Sequence, residues 1–145
     1  MKIASFNING IKARIQLLKE WLKKENPDII GLQELKSDNS NLNKDMVADL
    51  GYSFAYNGQK SYNGCGILSK YEIKNTSYFF NGIQEDPQKR WISAEINEIL
   101  ICNLYLPNGN PLGTEKFEYK IHWMNLLHNY LKELQSNGKP IVVMG

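Results

Sequence analysis

An α/β fold built around a mixed sheet is what this sequence predicts, on three observations. Residues 2–34 alternate a short apolar run, a helically spaced segment and a second apolar run. Residues 52–105 carry closely spaced strand-like runs, and a long amphipathic segment then leads into a last apolar run at 140–145.

The first run, Lys2-Ile3-Ala4-Ser5-Phe6, is closed by the turn-prone Asn7-Ile8-Asn9-Gly10. From Ile11 the spacing becomes helical, with Ile11, Ile15, Leu18 and Leu22 on one face, and Trp21 belongs to that helix's packing. Lys23 and Lys24 suit its last turn, and Asn26-Pro27 stops it. Residues 28–34 read as a second buried strand, completing a βαβ unit whose strands run parallel. The polar stretch 36–44 is a loop leading to a short helix near 45–50.

Strands are expected next at 52–56, 66–69, 73–79, 91–96 and 99–105, an antiparallel, meander-like region. Asn97-Glu98 forms a tight hairpin there despite lacking the usual glycine. After the irregular loop 107–113, Thr114 caps a helix carrying Phe117, Ile121, Met124, Leu127, Leu131 and Leu134 on one face, with Trp123 in its core. The helix ends near Asn137-Gly138, and the final strand follows at once.

The chain's 145 residues, 42% of them hydrophobic, suffice for a single core and exclude both a disordered tail and a disulfide-stapled peptide. Lys plus Arg number 17 against 15 Asp plus Glu, so any basic footprint is local. Cys65 and Cys102 lack metal-ligand spacing and read as buried, reduced thiols. With no signal peptide and no membrane span expected, the default localisation is cytoplasmic, with no membrane partner.

Parallel strands joined by a helix end at the same sheet edge, which brings Asn7 and Glu34 together where open α/β sheets bind ligands. Tyr105 closes another apolar run. One carboxylate beside neutral oxygen donors suits a hard cation such as Mg²⁺ or Mn²⁺ that keeps most of its waters. Strands also end in Asn, Glu or Tyr for solvation alone, so placement by itself does not define a site. His122 and His128, six residues apart and about 600° around a helix, cannot pair on a metal.

The blocks Ser5-Phe6-Asn7-Ile8-Asn9-Gly10 and Asp28-Ile29-Ile30-Gly31-Leu32-Gln33-Glu34-Leu35-Lys36 resemble the opening of exonuclease III. That is the abasic-site endonuclease family of the endonuclease/exonuclease/phosphatase superfamily. Tyr62-Asn63-Gly64-Cys65-Gly66, Arg90-Trp91-Ile92-Ser93-Ala94-Glu95 and Asn103-Leu104-Tyr105-Leu106-Pro107-Asn108-Gly109 continue the likeness in order. The resemblance implies the N-terminal half of a four-layer α/β sandwich, with residues 1–145 forming a partial domain that stops before the family's Gly-Asp-x-Asn motif.

It further implies a DNA repair nuclease hydrolysing phosphodiesters at abasic sites and 3′ ends with Mg²⁺, or alternatively Mn²⁺, on double-stranded DNA. In this likeness Glu34 and Asn7 serve the metal, Asn9 lies near it, and Tyr105 is catalytic beside the scissile phosphate. Lys36, Tyr62, Asn63 and Arg90 face the DNA backbone; read without the likeness, they are a half-buried aromatic and solvated polar groups. The alternatives are another superfamily phosphatase or phospholipid-cleaving hydrolase, a truncated non-catalytic module, or, most remotely, an unrelated nucleotide-binding domain. The residues that align the attacking water in the family are not among these 145, so the chain alone is expected to be inactive. It is also expected to end after about one sheet, leaving an apolar sheet face through which it self-associates.

Overall fold

The computed structural model describes all residues, Met1–Gly145. In order, the elements are β1 (Ile3–Asn7), α1 (Ile11–Glu25), β2 (Ile29–Gln33), β3 (Ser53–Asn57), β4 (Cys65–Ser69), β5 (Lys74–Ser77), β6 (Trp91–Ile96), β7 (Ile99–Leu104), α2 (Glu115–Ser136) and β8 (Ile141–Met144). Where a short helix is expected, the chain makes a tighter 3₁₀ turn at Lys44–Leu50, started by Asn43 accepting from the Asp45 N–H.

The strands form two four-stranded sheets, ordered β1-β2-β4-β3 and β5-β6-β7-β8. Parallel pairs lie at β1/β2 and β7/β8, each bridged by a helix, and the remaining pairs are antiparallel. β2 lies across β7, and β4 lies across β6 and β7. The expectation of a single sheet with a bare apolar face is therefore overturned. Ile29, Cys65 and Ile67 of the first sheet pack on Ile92, Ala94, Ile96 and Ile101 of the second, so each sheet covers the other. The strands left open are edges, β1 and β8 among them.

Outside this double layer, α1 sets Ile11, Leu18 and Leu22 onto Ile30, Leu32 and Leu68, with the Trp21 ring tilted against Phe6 at 5.7 Å between centroids. The hairpin at Asn97-Glu98 has φ of 50° and 64°, both left-handed, which matches the twist of the flanking strands. α2 is rotated from the face its aliphatic residues predict. Trp123 is buried, Tyr119, Leu126, Leu127 and Tyr130 pack beside it, and Ile121 and Met124 are exposed. Phe80 gathers Trp91, Trp123 and Tyr130 with ring centroids within 5.4 Å of its own, and large aromatic rings in such contact turn this face of α2 inward. Thr114 holds the N-cap position, but its hydroxyl donates to the Pro111 carbonyl and makes no cap bond.

Cys65 and Cys102 are free and buried, and burial pushes the Cys102 thiol up to about 12. His122 and His128 are exposed on α2. No helix is long and apolar enough to cross a membrane.

Candidate active site

The in-register pairing of Asn7 with Gln33 brings the carboxyl ends of β1 and β2 side by side. The turn after β1 is laid along the segment after β2: Ile8, Gly10 and Ile11 donate backbone bonds to the carbonyls of Gln33, Glu34 and Leu35 at 3.0, 2.7 and 3.1 Å. The end of the loop that leads into β4 completes the seam, with Leu35 and Lys36 donating to the carbonyls of Gly64 and Asn63 at 3.1 and 3.0 Å. This three-way junction holds Asn9, Glu34, Lys36 and Asn63 at φ of 47°, 55°, 51° and 47°. Such left-handed backbone is costly for a glutamate or a lysine and persists only where surrounding bonds enforce it.

Glu34 is the centre of the site. The Asn7 amide donates to its Oε1 at 2.8 Å, and the Lys36 ammonium lies 2.8 Å from its Oε2. Lys36 also donates to Asn9 Oδ1 at 2.6 Å, while Asn7 Oδ1 accepts from the Asn9 N–H at 3.1 Å. Burial works to raise the Glu34 carboxyl's pKa, but hydrogen bonds from Lys36, Asn7 and Tyr105 outweigh it and hold the group below the usual glutamate range. Glu34 is thus an anion at neutral pH. Tyr105, one residue past β7, sets its phenol against this carboxylate; burial, then the Glu34 charge, raises its pKa, so it stays protonated and can donate.

Arg90 lies just before β6, opposite Tyr105, with its guanidinium carbon 4.9 Å from the centre of the Tyr105 ring. Tyr62 stands on the loop between β3 and β4 and is 69% exposed. Asn63 is buried, and its amide is turned inward to Gln59 Oε1 at 2.9 Å, which makes it a brace of that loop. Between Tyr62 and α2 runs a polar groove of about 380 Å³, lined among others by Arg90, Asn108, Lys116 and Tyr119. Sequence reasoning and the family resemblance name Asn7, Asn9, Glu34, Lys36 and Tyr105, which the structure brings to one centre, and Tyr62, Asn63 and Arg90, which it sets along the adjoining groove.

Sequence reasoning misses the polar residues underneath. Gln59 Oε1 also accepts from the Lys89 N–H at 2.9 Å, tying the Tyr62 loop to the lead-in of β6. Asn103, fully buried between the sheets, donates to the carbonyls of Leu32 and Gly66 at 2.8 Å and accepts from Gln33 Nε2 at 2.6 Å. A signal for Asn103 was present: a lone amide in an otherwise apolar run at 99–104 needs internal partners.

No three His, Cys, Asp or Glu side chains cluster here or elsewhere. The donor set of one ionised carboxylate with amide and phenol oxygens fits a hard divalent cation that retains most of its waters, and does not fit a zinc site. Glu34 would hold that ion, Asn7 orients the carboxylate, and Asn9 Oδ1 faces the same space, which the Lys36 ammonium occupies.

Fold and site together define a two-sheet α/β sandwich with a one-carboxylate, oxygen-donor centre at its strand ends. The chain belongs to the Endonuclease/Exonuclease/phosphatase family, whose pattern matches residues 4–145. Over 150 residues it is 36% identical to exodeoxyribonuclease III of Haemophilus influenzae, covering 100% of this chain and 56% of that protein. It is 34% identical to a DNA-(apurinic or apyrimidinic site) endonuclease of Dictyostelium discoideum, covering 100% of this chain and 41% of that one. Among solved structures, the 3′ phosphatase NExo from Neisseria bound to product DNA hairpin superposes with a TM-score of 0.89 at 31% identity, over 94% of this chain and 53% of that one. The chain spans about half the length of the curated relatives it matches.

Proposed function

We propose that the chain supplies the metal and phosphate-positioning side of a DNA repair nuclease of the exodeoxyribonuclease III and abasic-site endonuclease type, acting with Mg²⁺ or Mn²⁺ on double-stranded DNA. The observation that carries this reading is the convergence of Asn7, Glu34 and Tyr105 on one centre beside a groove bearing Arg90 and Lys116. The names of the relatives support the same substrate class.

A bound Mg²⁺ supplies positive charge against a phosphoryl oxygen and its developing negative charge. Glu34, kept ionised by its neighbours, would hold that ion, and Asn7 fixes the rotamer of the carboxylate. The protonated Tyr105 phenol has a single O–H, turned toward Glu34 in the free chain; re-aimed at a bound strand, it would donate to a non-bridging phosphate oxygen. Tyr62, largely exposed on the groove, and Lys36 face the backbone of the duplex, and Lys116, which lines the same groove, adds charge that positions the strand without reading sequence.

Hydrolysis also needs a base aligned on the attacking water. Glu34 is engaged with the ion, and the exposed His122 and His128 lie on α2 outside the site. The 145 residues alone therefore bind but do not cut.

The test measures fluorescence anisotropy of labelled abasic and intact duplexes with the purified chain in Mg²⁺, together with an incision assay on the abasic duplex. Saturable, Mg²⁺-dependent binding weakened by Glu34→Ala is expected, with no incision. Absence of binding to either duplex overturns the DNA reading, and incision abolished by Glu34→Ala overturns the assignment of inactivity.

A further inference from the structure

Arg90 and Tyr105 face each other one position beyond the last β6/β7 pair, Trp91 opposite Leu104, and the Tyr105 N–H donates to the Arg90 carbonyl at 2.8 Å. The Arg90 side chain is tied down at two nitrogens. Nε donates to Gln88 Oε1 at 2.8 Å, and Nη1 donates to the Tyr105 carbonyl at 3.1 Å. Its guanidinium lies over the Tyr105 ring at 4.9 Å and also reaches the Tyr119 ring at 6.0 Å. The support continues outward, because the Tyr119 hydroxyl donates to Asp86 Oδ2 at 2.7 Å and Asp86 Oδ1 accepts from the Gln88 N–H at 2.8 Å.

Tyr105 needs such support. It stands past the end of β7, only part-buried, with the 107–113 loop beyond it, so its ring has two side-chain torsions to fix. A planar guanidinium stacked on one face and bonded to the same residue's carbonyl restrains both ring and backbone, which an ammonium cannot do.

We propose that Arg90 is a positioning residue: it sets the Tyr105 phenol against the Glu34 carboxylate and acts on the bound strand through Tyr105, not as a phosphate ligand in its own right. This rests on the functional reading above. It gives the Asp86–Arg90 segment a defined part in the site, as the buttress between α2 and the phenol.

A double-mutant cycle separates the two roles. Abasic-duplex affinity is measured for Arg90→Lys, Arg90→Gln, Tyr105→Phe and the Tyr105→Phe combinations, across a salt series in Mg²⁺, with thermal melts confirming that each variant folds. A positioning role predicts that Arg90→Lys weakens binding about fivefold, as much as Arg90→Gln. Both changes then have no further effect in the Tyr105→Phe background, and the slope of log K against log salt is unchanged. A phosphate ligand gives the opposite pattern: Arg90→Lys nearly neutral, losses that multiply with Tyr105→Phe, and a slope reduced by about 0.9 in Arg90→Gln. That pattern overturns the proposal. If the unaltered chain binds no duplex, the functional reading fails, and the same cycle read as Mn²⁺ affinity by electron paramagnetic resonance still decides the role of Arg90. A change with Arg90→Lys that vanishes in Tyr105→Phe sustains it, and no change overturns it.

Discussion

The ammonium of Lys36 lies 2.8 Å from Glu34 Oε2 and 2.6 Å from Asn9 Oδ1, so two oxygens facing the metal space are held by a monovalent cation belonging to the chain. A divalent ion docking on Glu34 must displace or repel it.

Removing that charge is expected to raise affinity for a divalent cation. Lys36→Met is expected to bind Mn²⁺ about fivefold more tightly, the effect of roughly 1 kcal/mol of relieved repulsion at a half-exposed site. Isothermal titration calorimetry checks it, and weaker binding in Lys36→Met shows instead that Lys36 orders the carboxylate.

Acid acts on the same group in a fixed direction. Because Glu34 is held below the usual glutamate range, the unfolded chain takes up its proton more readily than the folded one. Its contribution is present above the ordinary glutamate value of about 4.3 and is lost as the pH falls through the lower folded value. Urea denaturation from pH 7 to pH 3 is expected to show a stability gap between the parent chain and Glu34→Gln that is constant above pH 5 and closes below about pH 4.3. A gap that closes between pH 5 and 7 contradicts this.

Asn103 links the sheets directly beneath the site. Asn103→Ala leaves the Leu32 and Gly66 carbonyls and the Gln33 amide short of a partner and opens a cavity, for a loss of about 3 kcal/mol in denaturation midpoint analysis. Gly31→Ala is expected to cost a similar amount, about 2–3 kcal/mol, since its Cβ would lie 2.7 Å from Asn103 Oδ1.

Backbone strain is removable where no side chain depends on it. Ser61 is exposed at φ 65°. Ser61→Gly is expected to stabilise the chain by about 0.5 kcal/mol, the relief of left-handed strain exceeding the added freedom of the unfolded chain. A lower melting temperature refutes it.

Self-association, expected through a bare sheet face, is now expected through an edge. β8 carries no charge, and Val143 is 43% exposed on it. Sedimentation equilibrium should show association that Val143→Lys suppresses, because a charge on an edge blocks strand pairing. A monomer at every concentration excludes it.

The elements with strong periodicity were legible. Strand 91–96 matches β6 residue for residue, and the Asn97-Glu98 hairpin forms as read. Topology alone brings Asn7 and Glu34 to one sheet edge, where their side chains bond at 2.8 Å; Tyr105 was legible only as a strand end, and its place beside Glu34 was implied by the family resemblance. The misreading of α2 comes from competing apolar surfaces of equal period. On α2, residues 117, 121 and 124 and residues 119, 123, 126, 127 and 130 both make helical stripes, and only the position of Phe80 decides between them. Likewise, runs of apolar strands do not say where the chain crosses from one sheet to the other. Gln59, Gln88 and Asp86 were invisible because loop polar residues carry no period; their partners are defined only once the loops have folded.

The two parallel-paired outer strands, β1 and β8, lie on the same flank, since β2 crosses β7 and each neighbours one of them. Asn7 is the last residue of β1. The candidate site around Glu34 is therefore faced on one side by Tyr105 and Arg90 and bordered on the other by an edge strand. Along its outer edge β1 keeps backbone N–H and C=O groups without a strand partner, so the side chains of Asn7 and Glu34 stand beside a row of free main-chain donors and acceptors.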